Sequence, residues 1–262
     1  MAPTTAATAR KKLLITGAAG VVGTALRRHL RDRYDFRLLF HSQVPDDVPP
    51  GDEVVLGDVA DFEAMLEATA GVDGIVHLAL ARIRRRMTEA ERARQTIDTD
   101  IRGVYNVYEA ARLNHVPVVV FASTNHVTGL NEQDGIVSRV HEPVRPDSIY
   151  GAGKAFGEAL GRLYADRKNV RVFCLRIANF NGKDEPGRYY APGKSRWLSP
   201  RDLAQLTWRC IESDLTFGIF YGVSGGGEQK WDLSNARDLL GYQPADDGSL
   251  ERWRDRYPRP AE

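Results

Sequence analysis

Cysteine is scarce in this chain: there are two in 262 residues, Cys174 and Cys210. Both lie inside apolar stretches, and neither has the spacing from other potential ligands that a zinc site requires. We therefore predict two reduced, buried thiols in a cytoplasmic protein, with no disulfide and no metal site.

Long apolar runs and a strong charge imbalance are also missing. No stretch approaches the roughly 20 apolar residues of a membrane-spanning helix, and the N-terminal residues lack the apolar segment of a signal peptide. Residues 1–11 are instead predicted to form a disordered tail. The net charge is +1, which argues against nucleic acid or a membrane surface as a partner of the whole molecule.

The chain does contain a regular alternation of short apolar runs and helical patterns. The runs fall at 13–16, 36–40, 53–56, 74–78, 116–122 and 170–177, and the helical patterns at 23–31, 62–69, 98–114 and 150–167. Such alternation is typical of an α/β protein and predicts a Rossmann-type, doubly wound parallel sheet. Residues 12–179 are assigned to a dinucleotide-binding domain. After residue 179 the pattern changes to a helix at 200–212, a strand at 217–222 and a helix at 234–241, which predicts a small C-terminal substrate-binding cap, residues 180–262, integrated with that domain.

The first chemical motif is a glycine-rich turn. Residues 13–23 read Leu-Leu-Ile-Thr-Gly-Ala-Ala-Gly-Val-Val-Gly, so a strand runs into a glycine-punctuated turn and then into a helix. Glycines let the backbone approach a pyrophosphate at a helix N-terminus. Similar turns occur without ligands, but this context favours a nucleotide. Asp58 follows the third strand, where its carboxylate could meet an adenine amino group or cap the next helix.

Tyr150 and Lys154 form the second motif. Four residues apart on a predicted helix, their side chains share one face, so an ammonium can sit beside a phenol. A free tyrosine titrates near pH 10, and a neighbouring cation favours the phenolate. The pair can therefore take a proton from a substrate hydroxyl, although the same spacing also occurs in surface packing pairs.

Together these residues resemble the extended, epimerase-like branch of the short-chain dehydrogenases/reductases. The resemblance runs over residues 12–248 and includes the segment His77-Leu78-Ala79. Within that branch, Phe-Ala-Ser-Thr-Asn-His at 121–126, Tyr-Gly-x-x-Lys at 150–154 and Trp-Leu-Ser-x-Arg-Asp at 197–202 look like uronate dehydrogenases and archaeal-type glucose-6-phosphate dehydrogenases. Nucleotide-sugar epimerases and dehydratases are usually longer after this point, so the resemblance implies a small sugar acid or sugar phosphate as substrate.

The resemblance also implies a role for each matching residue. Tyr150 would be the general base, Lys154 would hold the nicotinamide ribose and favour the phenolate, and Thr124 would hydrogen-bond the reacting oxygen. The implied cofactor-binding residues are Gly17, Ala19, Gly20, Val21, Val22, Gly23, His41, Ser42, Asp58, Val59, Leu78, Ala79 and Lys154. The implied substrate-binding residues are Leu80, Asn125, His126, Arg188 and Arg196. A guanidinium suits a carboxylate or a phosphate, so either arginine could bind either group. Two of the residues also have structural explanations: strand propensity could account for the presence of Thr124, and a core or cap role for that of His126.

Several positions depart from the family pattern. The second strand ends in His41-Ser42, with no carboxylate to accept a hydrogen bond from a ribose 2'-hydroxyl, which favours NADP over NAD. Residues 81–95 form a long, arginine-rich connection that is either a lid over an anionic ligand or a solvated face. Asp100 stands where relatives usually have asparagine, which puts a proton relay in doubt. Gly153 replaces a common serine, at a cost in helix propensity.

The combined prediction is an NAD(P)-dependent oxidoreductase that oxidises a hydroxyl, the anomeric one, of a small anionic sugar. A sugar epimerase or dehydratase is the first alternative, because there the hydride returns to the substrate. A non-catalytic cofactor-sensing protein is the second. By analogy with the family, we expect a homo-oligomer, a dimer formed by the helices at 98–114 and 150–167.

Overall fold

The structure is a computed structural model that describes residues 10–192, 195–228, 230–254 and 256–257. Residues 1–9 of the predicted tail lie outside the described residues, whereas the carbonyl oxygen of Lys11 accepts a hydrogen bond from the backbone N–H of Asp35 at 3.0 Å. Cys174 and Cys210 are both buried and free. In the described part of the chain, no helix is long and apolar enough to cross a membrane.

The core of the fold is a parallel sheet. Its strands are β1 (Lys12–Thr16), β2 (Asp35–Phe40), β3 (Glu53–Leu56), β4 (Gly74–His77), β5 (Val118–Thr124), β6 (Arg171–Ile177) and β7 (Phe217–Gly222). These seven strands form one sheet in the order β3-β2-β1-β4-β5-β6-β7, and all neighbouring pairs are parallel. The central strands are almost continuously apolar because helices cover both faces. The predicted Rossmann-type, doubly wound sheet is confirmed.

Helices cover the sheet on both sides. They are α1 (Val21–Leu30), α2 (Phe62–Thr69), α3 (Glu89–Thr96), α4 (Gly103–Leu113), α5 (Gly129–Gln133), α6 (Ile149–Arg167), α7 (Pro200–Glu212) and α8 (Ser234–Leu240), with a π-helical turn, Ile97–Arg102, between α3 and α4. Leu26 of α1 and Leu206 of α7 belong to the core on one face. Met65 of α2, Val107 of α4 and Tyr164 of α6 belong to the core on the other.

The prediction of a non-helical connection at 81–95 was wrong in its second half, because α3 begins at Glu89. Thr88 caps this helix: its hydroxyl accepts from the N–H of Glu91, whose side chain reaches back to the N–H of Thr88. This capping box is visible in the sequence. The helix was missed because its residues, Glu-Ala-Glu-Arg-Ala-Arg-Gln-Thr, carry no apolar stripe.

The C-terminal part shares the sheet and the core of the rest of the chain. β7 pairs with β6 along its whole length, and residues of α7 and α8 belong to the same core as residues of α1. The boundary at residue 179 and the role of residues 180–262 as a cap stay predictions.

A buried polar network fixes α6 to the sheet. The guanidinium of Arg176 donates to both carboxylate oxygens of Glu158 at 2.9 and 2.8 Å and to the hydroxyl of Tyr221 at 3.0 Å. Ser123 Oγ also donates to Glu158, at 2.6 Å. The side chains of Arg176 and Glu158 are only 1% and 4% exposed. Because Glu158 lies one helical turn after Lys154, the network sets the position of α6 over β5 and β6.

A second buried contact joins the carboxyl ends of β1 and β4. Thr16 Oγ1 accepts from the backbone N–H groups of Leu78 and Ala79 at 3.1 and 3.2 Å. Its own hydrogen is therefore left for His77 Nδ1, 2.7 Å away. His77 is fully buried, and burial, together with the charge of Lys154, lowers its pKa to about 3. The imidazole is neutral in the folded protein at neutral pH.

We expect His77 to make the protein progressively less stable as the pH falls. Its pKa is depressed in the folded state, so below about pH 6.5 the unfolded chain binds a proton that the folded chain excludes. The stabilisation is complete above that pH and is lost as the pH falls towards 3. This residue should reduce the free energy of unfolding by up to about 1.4 kcal/mol per pH unit below pH 6.5.

Urea unfolding at pH 7, 5.5 and 4.5 measures this slope. His77→Asn keeps an acceptor for Thr16 but has no titrating group, so its free energy of unfolding should fall less steeply with pH. His141 is exposed, and His141→Asn should keep the wild-type slope. A wild-type slope in His77→Asn would contradict the neutral, buried imidazole.

Candidate functional site

A cleft opens at the carboxyl edge of the sheet, where the chain leaves β1 and β4 in opposite directions. Its two parts share Gly17, Gly20, Leu78 and Leu80 as lining residues. The wide part, about 1090 Å³, lies at the ends of β2 and β3. The narrow part, about 410 Å³, lies at the ends of β5 and β6. The cleft therefore runs across the middle of the sheet.

Every residue predicted to bind the cofactor lines this cleft. The wide part is lined by Gly17, Ala19, Gly20, His41, Ser42, Asp58, Val59, Leu78 and Ala79. The narrow part is lined by Gly17, Gly20, Val21, Val22, Gly23, Leu78 and Lys154. Residues from widely separated parts of the sequence thus form one continuous surface, and their cofactor contacts stay predictions.

The turn between β1 and α1 is shaped to approach an anionic ligand. Gly17 has a φ of +66°, and a Cβ there would lie 2.8 Å from the backbone of Leu78 and Ala79. Any other residue would therefore be strained and would clash. Gly20 is the N-cap of α1 and provides no side-chain cap, so the N–H groups of the first turn have no side-chain acceptor and suit a phosphate.

Asp58 and His41 pair across the wide part. His41 Nε2 lies 3.2 Å from Asp58 Oδ2, and Asp58 Oδ1 accepts from the backbone N–H of Ala60 at 2.9 Å. The interpretation of Asp58 as a helix cap was wrong, because Asp61 is the N-cap of α2 and accepts from the N–H groups of residues 63 and 64. Asp58 therefore faces the cleft from a local turn.

The three predicted catalytic residues meet in the narrow part. Thr124 is the last residue of β5, and α6 starts close by, so that Tyr150 and Lys154 lie on its first two turns. Gly151 lets the start of α6 lie close to the backbone that follows β5, since a Cβ at this position would lie 2.4 Å from the carbonyl oxygen of His126. The helix start is fixed by Ser148, whose hydroxyl accepts from the N–H of Gly151 at 3.2 Å.

Burial dominates the electrostatics of this site. Lys154 Nζ lies 3.8 Å from Asp100 Oδ1 and 5.6 Å from the centre of the Tyr150 ring. Burial lowers the pKa of Lys154, and Asp100 opposes that change. Burial raises the pKa of Tyr150 to about 12, the Thr124 hydroxyl lowers it, and Asp100 adds to the rise. Tyr150 is therefore a protonated phenol at neutral pH, whereas the motif predicts a bias towards phenolate. The main reason is burial of the phenol, to which the negative charge of Asp100 adds.

Asp100 reaches the site from the π-helical turn between α3 and α4. The residue is fully buried, and burial raises the pKa of its carboxyl while Lys154 opposes the rise. A Cβ at Gly153 would lie 3.5 Å from the Asp100 Cβ. Two departures from the family pattern, Asp100 and Gly153, are thus neighbours in space, which the sequence alone does not reveal.

The predicted substrate-binding residues fall into two groups. Leu80, Asn125 and His126 line the narrow part of the cleft. Arg188 and Arg196 are exposed and do not line it. Arg188 donates to the hydroxyl of Tyr189 at 2.8 Å, and Tyr189 itself lines the cleft. Arg196 lies 3.6 Å from Glu132.

Two acidic residues that sequence reasoning missed hold these polar side chains in place. Glu132 Oε1 accepts from Asn125 Nδ2 at 2.7 Å. Asp147 Oδ2 lies 2.8 Å from His126 Nδ1, and the His126 side chain is 47% exposed, so a core role for this histidine is excluded. Asp147 could have been found, because it directly precedes the cap of α6. Glu132 lies on the short α5, which has no periodic signal.

Comparison with known proteins shows the family of this chain. The model of the NAD dependent epimerase/dehydratase family matches residues 13–240. An NAD-dependent glucose-6-phosphate dehydrogenase of Haloferax volcanii is 34% identical over 252 residues, covering 90% of this chain and 94% of the relative. An L-arabinose 1-dehydrogenase (NAD(P)(+)) of the same organism is 32% identical over 262 residues, covering 91% and 98%.

A solved structure agrees with these matches. The crystal structure of a glucuronic acid dehydrogenase from Chromohalobacter salexigens superimposes with a TM-score of 0.83 at 33% identity, covering 96% of this chain and 90% of that chain. The resemblance to uronate and glucose-6-phosphate dehydrogenases is confirmed, and the chain belongs to the NAD dependent epimerase/dehydratase family.

Proposed function

We propose that this protein is an NAD(P)-dependent dehydrogenase that oxidises the anomeric hydroxyl of a small, anionic sugar. The observation that carries the proposal is the convergence of Thr124, Tyr150 and Lys154 beside a cleft suited to a dinucleotide. The relatives named above act on glucose 6-phosphate, arabinose and glucuronic acid. These sugars share an aldose ring, and one of the relatives is named as a 1-dehydrogenase, which supports the anomeric carbon as the reacting centre.

The residues of the cleft fit a nicotinamide dinucleotide. The glycine turn and the N-terminus of α1 would hold the pyrophosphate, Asp58 and Val59 would contact the adenine, and Lys154 would hold the nicotinamide ribose. When bound, the nicotinamide supplies the acceptor for the hydride that leaves the sugar carbon. We propose NADP as the preferred cofactor, because β2 ends without a carboxylate.

The chain's own residues would handle the proton. Tyr150 accepts the proton of the anomeric hydroxyl, while Thr124 hydrogen-bonds the same oxygen and lowers the pKa of Tyr150. Because Tyr150 is a protonated phenol at neutral pH, it would first release that proton to solvent in the cleft. The Lys154 ammonium favours the resulting phenolate, which then accepts the proton of the sugar hydroxyl. The hydrogen on the anomeric carbon leaves with its bonding electrons as a hydride, and the hydroxyl hydrogen leaves as a proton. The product is therefore the lactone.

Polar side chains of the narrow part would orient the sugar. Asn125 is held by Glu132 and His126 is held by Asp147, so both present fixed hydrogen-bonding groups. We favour Arg188 as the residue that holds the carboxylate or phosphate, because its partner Tyr189 lines the cavity. A cavity of about 410 Å³ suits a monosaccharide.

We also propose a homodimer formed through α4 and α6. Large apolar side chains are exposed on both helices: Tyr105 and Leu113 on α4, and Phe156 and Leu163 on α6. Exposed apolar groups that cluster on neighbouring elements are typical of protein interfaces.

The test of the proposed function is net reduction of the cofactor, followed by absorbance at 340 nm. Purified protein is mixed with NAD or NADP and with glucuronate, galacturonate, glucose 6-phosphate or arabinose. Net reduction with any of these sugars supports a dehydrogenase. Silence across the panel, in a protein that binds the cofactor, contradicts the proposal and favours an epimerase, a dehydratase or a cofactor sensor.

A further inference from the structure

Residues 82–86 carry four arginines, and the structure divides them into two pairs. Arg82 and Arg84 line the wide part of the cleft, together with Met87. Arg85 and Arg86 belong to the same exposed segment but do not line it. The alternation indicates that one side of the segment faces the cleft and the other faces solvent.

The backbone of this segment is anchored. Ala81 is buried, and the N–H of Met87 donates to the carbonyl oxygen of Arg84 at 3.1 Å. The guanidinium of Arg92, on α3, donates to the carbonyl oxygens of Met87 and Arg85 at 3.1 and 3.2 Å. The arginine side chains at 82 and 84 therefore extend from a defined base, which reduces the entropy lost when they bind a ligand.

The charges around the wide part leave these two guanidinium groups available. Among the described residues, Arg82 and Arg84 take part in no ion pair and donate no side-chain hydrogen bond. Asp58 is the one carboxylate that lines this part of the cleft in the described chain, and it is already engaged by His41 and by the N–H of Ala60. The wide part thus carries an excess of positive charge with no acidic residue at the end of β2.

We propose that Arg82 and Arg84 bind the 2'-phosphate of the adenosine ribose of a phosphorylated dinucleotide. The inference rests on the proposed function, because it requires that the cleft binds such a dinucleotide. A phosphate monoester is a dianion, and guanidinium groups bind it with two parallel hydrogen bonds. The pyrophosphate has its own partner in the glycine turn and the N-terminus of α1, and the two arginines lie in the part of the cleft that also contains His41 and Ser42.

Two nucleotides that differ only in the 2'-phosphate test this proposal by calorimetry at fixed ionic strength. Adenosine 2',5'-bisphosphate should bind the wild-type protein more tightly than 5'-AMP does. In Arg82→Gln/Arg84→Gln the Kd for the bisphosphate should rise at least about tenfold, since charge-assisted hydrogen bonds are lost. The Kd for 5'-AMP should stay within about twofold, which also shows that the variant is folded.

Arg85→Gln/Arg86→Gln is the matched control, because it removes the same charge from the same segment and should leave both affinities unchanged. An equal loss for both nucleotides would overturn the 2'-phosphate assignment in favour of the 5'-phosphate. If both double variants lost the same affinity for the bisphosphate, the proposal would be overturned in favour of a long-range electrostatic effect of the whole segment. If Arg82→Gln/Arg84→Gln bound the bisphosphate as tightly as wild type, the proposal would also be overturned, because the two arginines would then be merely solvated. If wild-type protein binds neither nucleotide, the proposed function fails; if it binds 5'-AMP but gains nothing from the 2'-phosphate, only this inference fails.

Discussion

Tyr150→Phe is expected to lower kcat by about 10²–10⁴-fold, the usual contribution of a general acid–base group. Phenylalanine keeps the ring, which lies 6.0 Å from the His126 ring and beside Lys154, and removes only the hydroxyl that we propose accepts the proton. Cofactor affinity should therefore change little, by less than about threefold. Steady-state kinetics and a separate cofactor-binding titration measure the two quantities.

Tyr34→Phe is the matched control for this variant. Tyr34 precedes β2 at the opposite edge of the sheet, where its hydroxyl donates to Glu212 at 2.7 Å, so kcat should stay close to the wild-type value. Turnover of Tyr150→Phe within about threefold of wild type would contradict the role assigned to Tyr150, whatever the cofactor affinity.

Glu158→Gln is expected to lower the free energy of unfolding by about 3–5 kcal/mol, the range found when one partner of a buried ion pair is removed. The substitution leaves the Arg176 guanidinium buried without its bidentate acceptor. It also weakens the contact with Ser123. Urea unfolding measured at one pH gives the change in free energy.

A surface pair on the same helix provides the control. Arg162 Nε lies 2.7 Å from Asp166, with side chains 60% and 44% exposed, and Asp166→Asn should cost less than about 0.5 kcal/mol. Replacing both buried partners, as Glu158→Leu with Arg176→Met, should recover much of the loss, because no unpaired charge remains. A double variant as unstable as Glu158→Gln would show that packing, and not the unpaired charge, sets the cost.

Features encoded in a few consecutive residues could be predicted from the sequence. The glycine turn after β1 requires a positive φ at Gly17 and a bare helix N-terminus at Gly20, and both requirements are local. Tyr150 and Lys154 share a helix face because of their spacing alone. The alternation of apolar runs and helices likewise predicted a parallel sheet, since each strand must be buried on both faces.

Features that depend on distant residues could not be predicted. Asp100 meets Lys154 from a π-helical turn between α3 and α4, and no pattern in the sequence marks such a turn. Its carboxylate changes the electrostatics of the site, since it acts to raise the pKa of Tyr150. The Tyr-x-x-x-Lys motif includes the ammonium of Lys154, but the carboxylate of Asp100 lies 50 residues earlier in the sequence and is therefore outside the motif.

Charged side chains were the hardest to place. Glu158 and Arg176 are charged, and sequence patterns assign such residues to solvent, yet each is buried because the other is. The four arginines at 82–86 are equivalent in the sequence, but only two of them line the cleft. In both cases the partner or the facing surface comes from another part of the fold.

The proposed dehydrogenase requires that a hydride leaves the anomeric carbon of the sugar and stays on the nicotinamide. The most direct measurement uses a panel sugar that reduces the cofactor, labelled with deuterium at C1, and follows the label by mass spectrometry. We expect one deuterium in each reduced nicotinamide and a lactone as the product. Reduced cofactor without deuterium, with the label retained in the sugar product, would place the reaction at another carbon and contradict oxidation at C1.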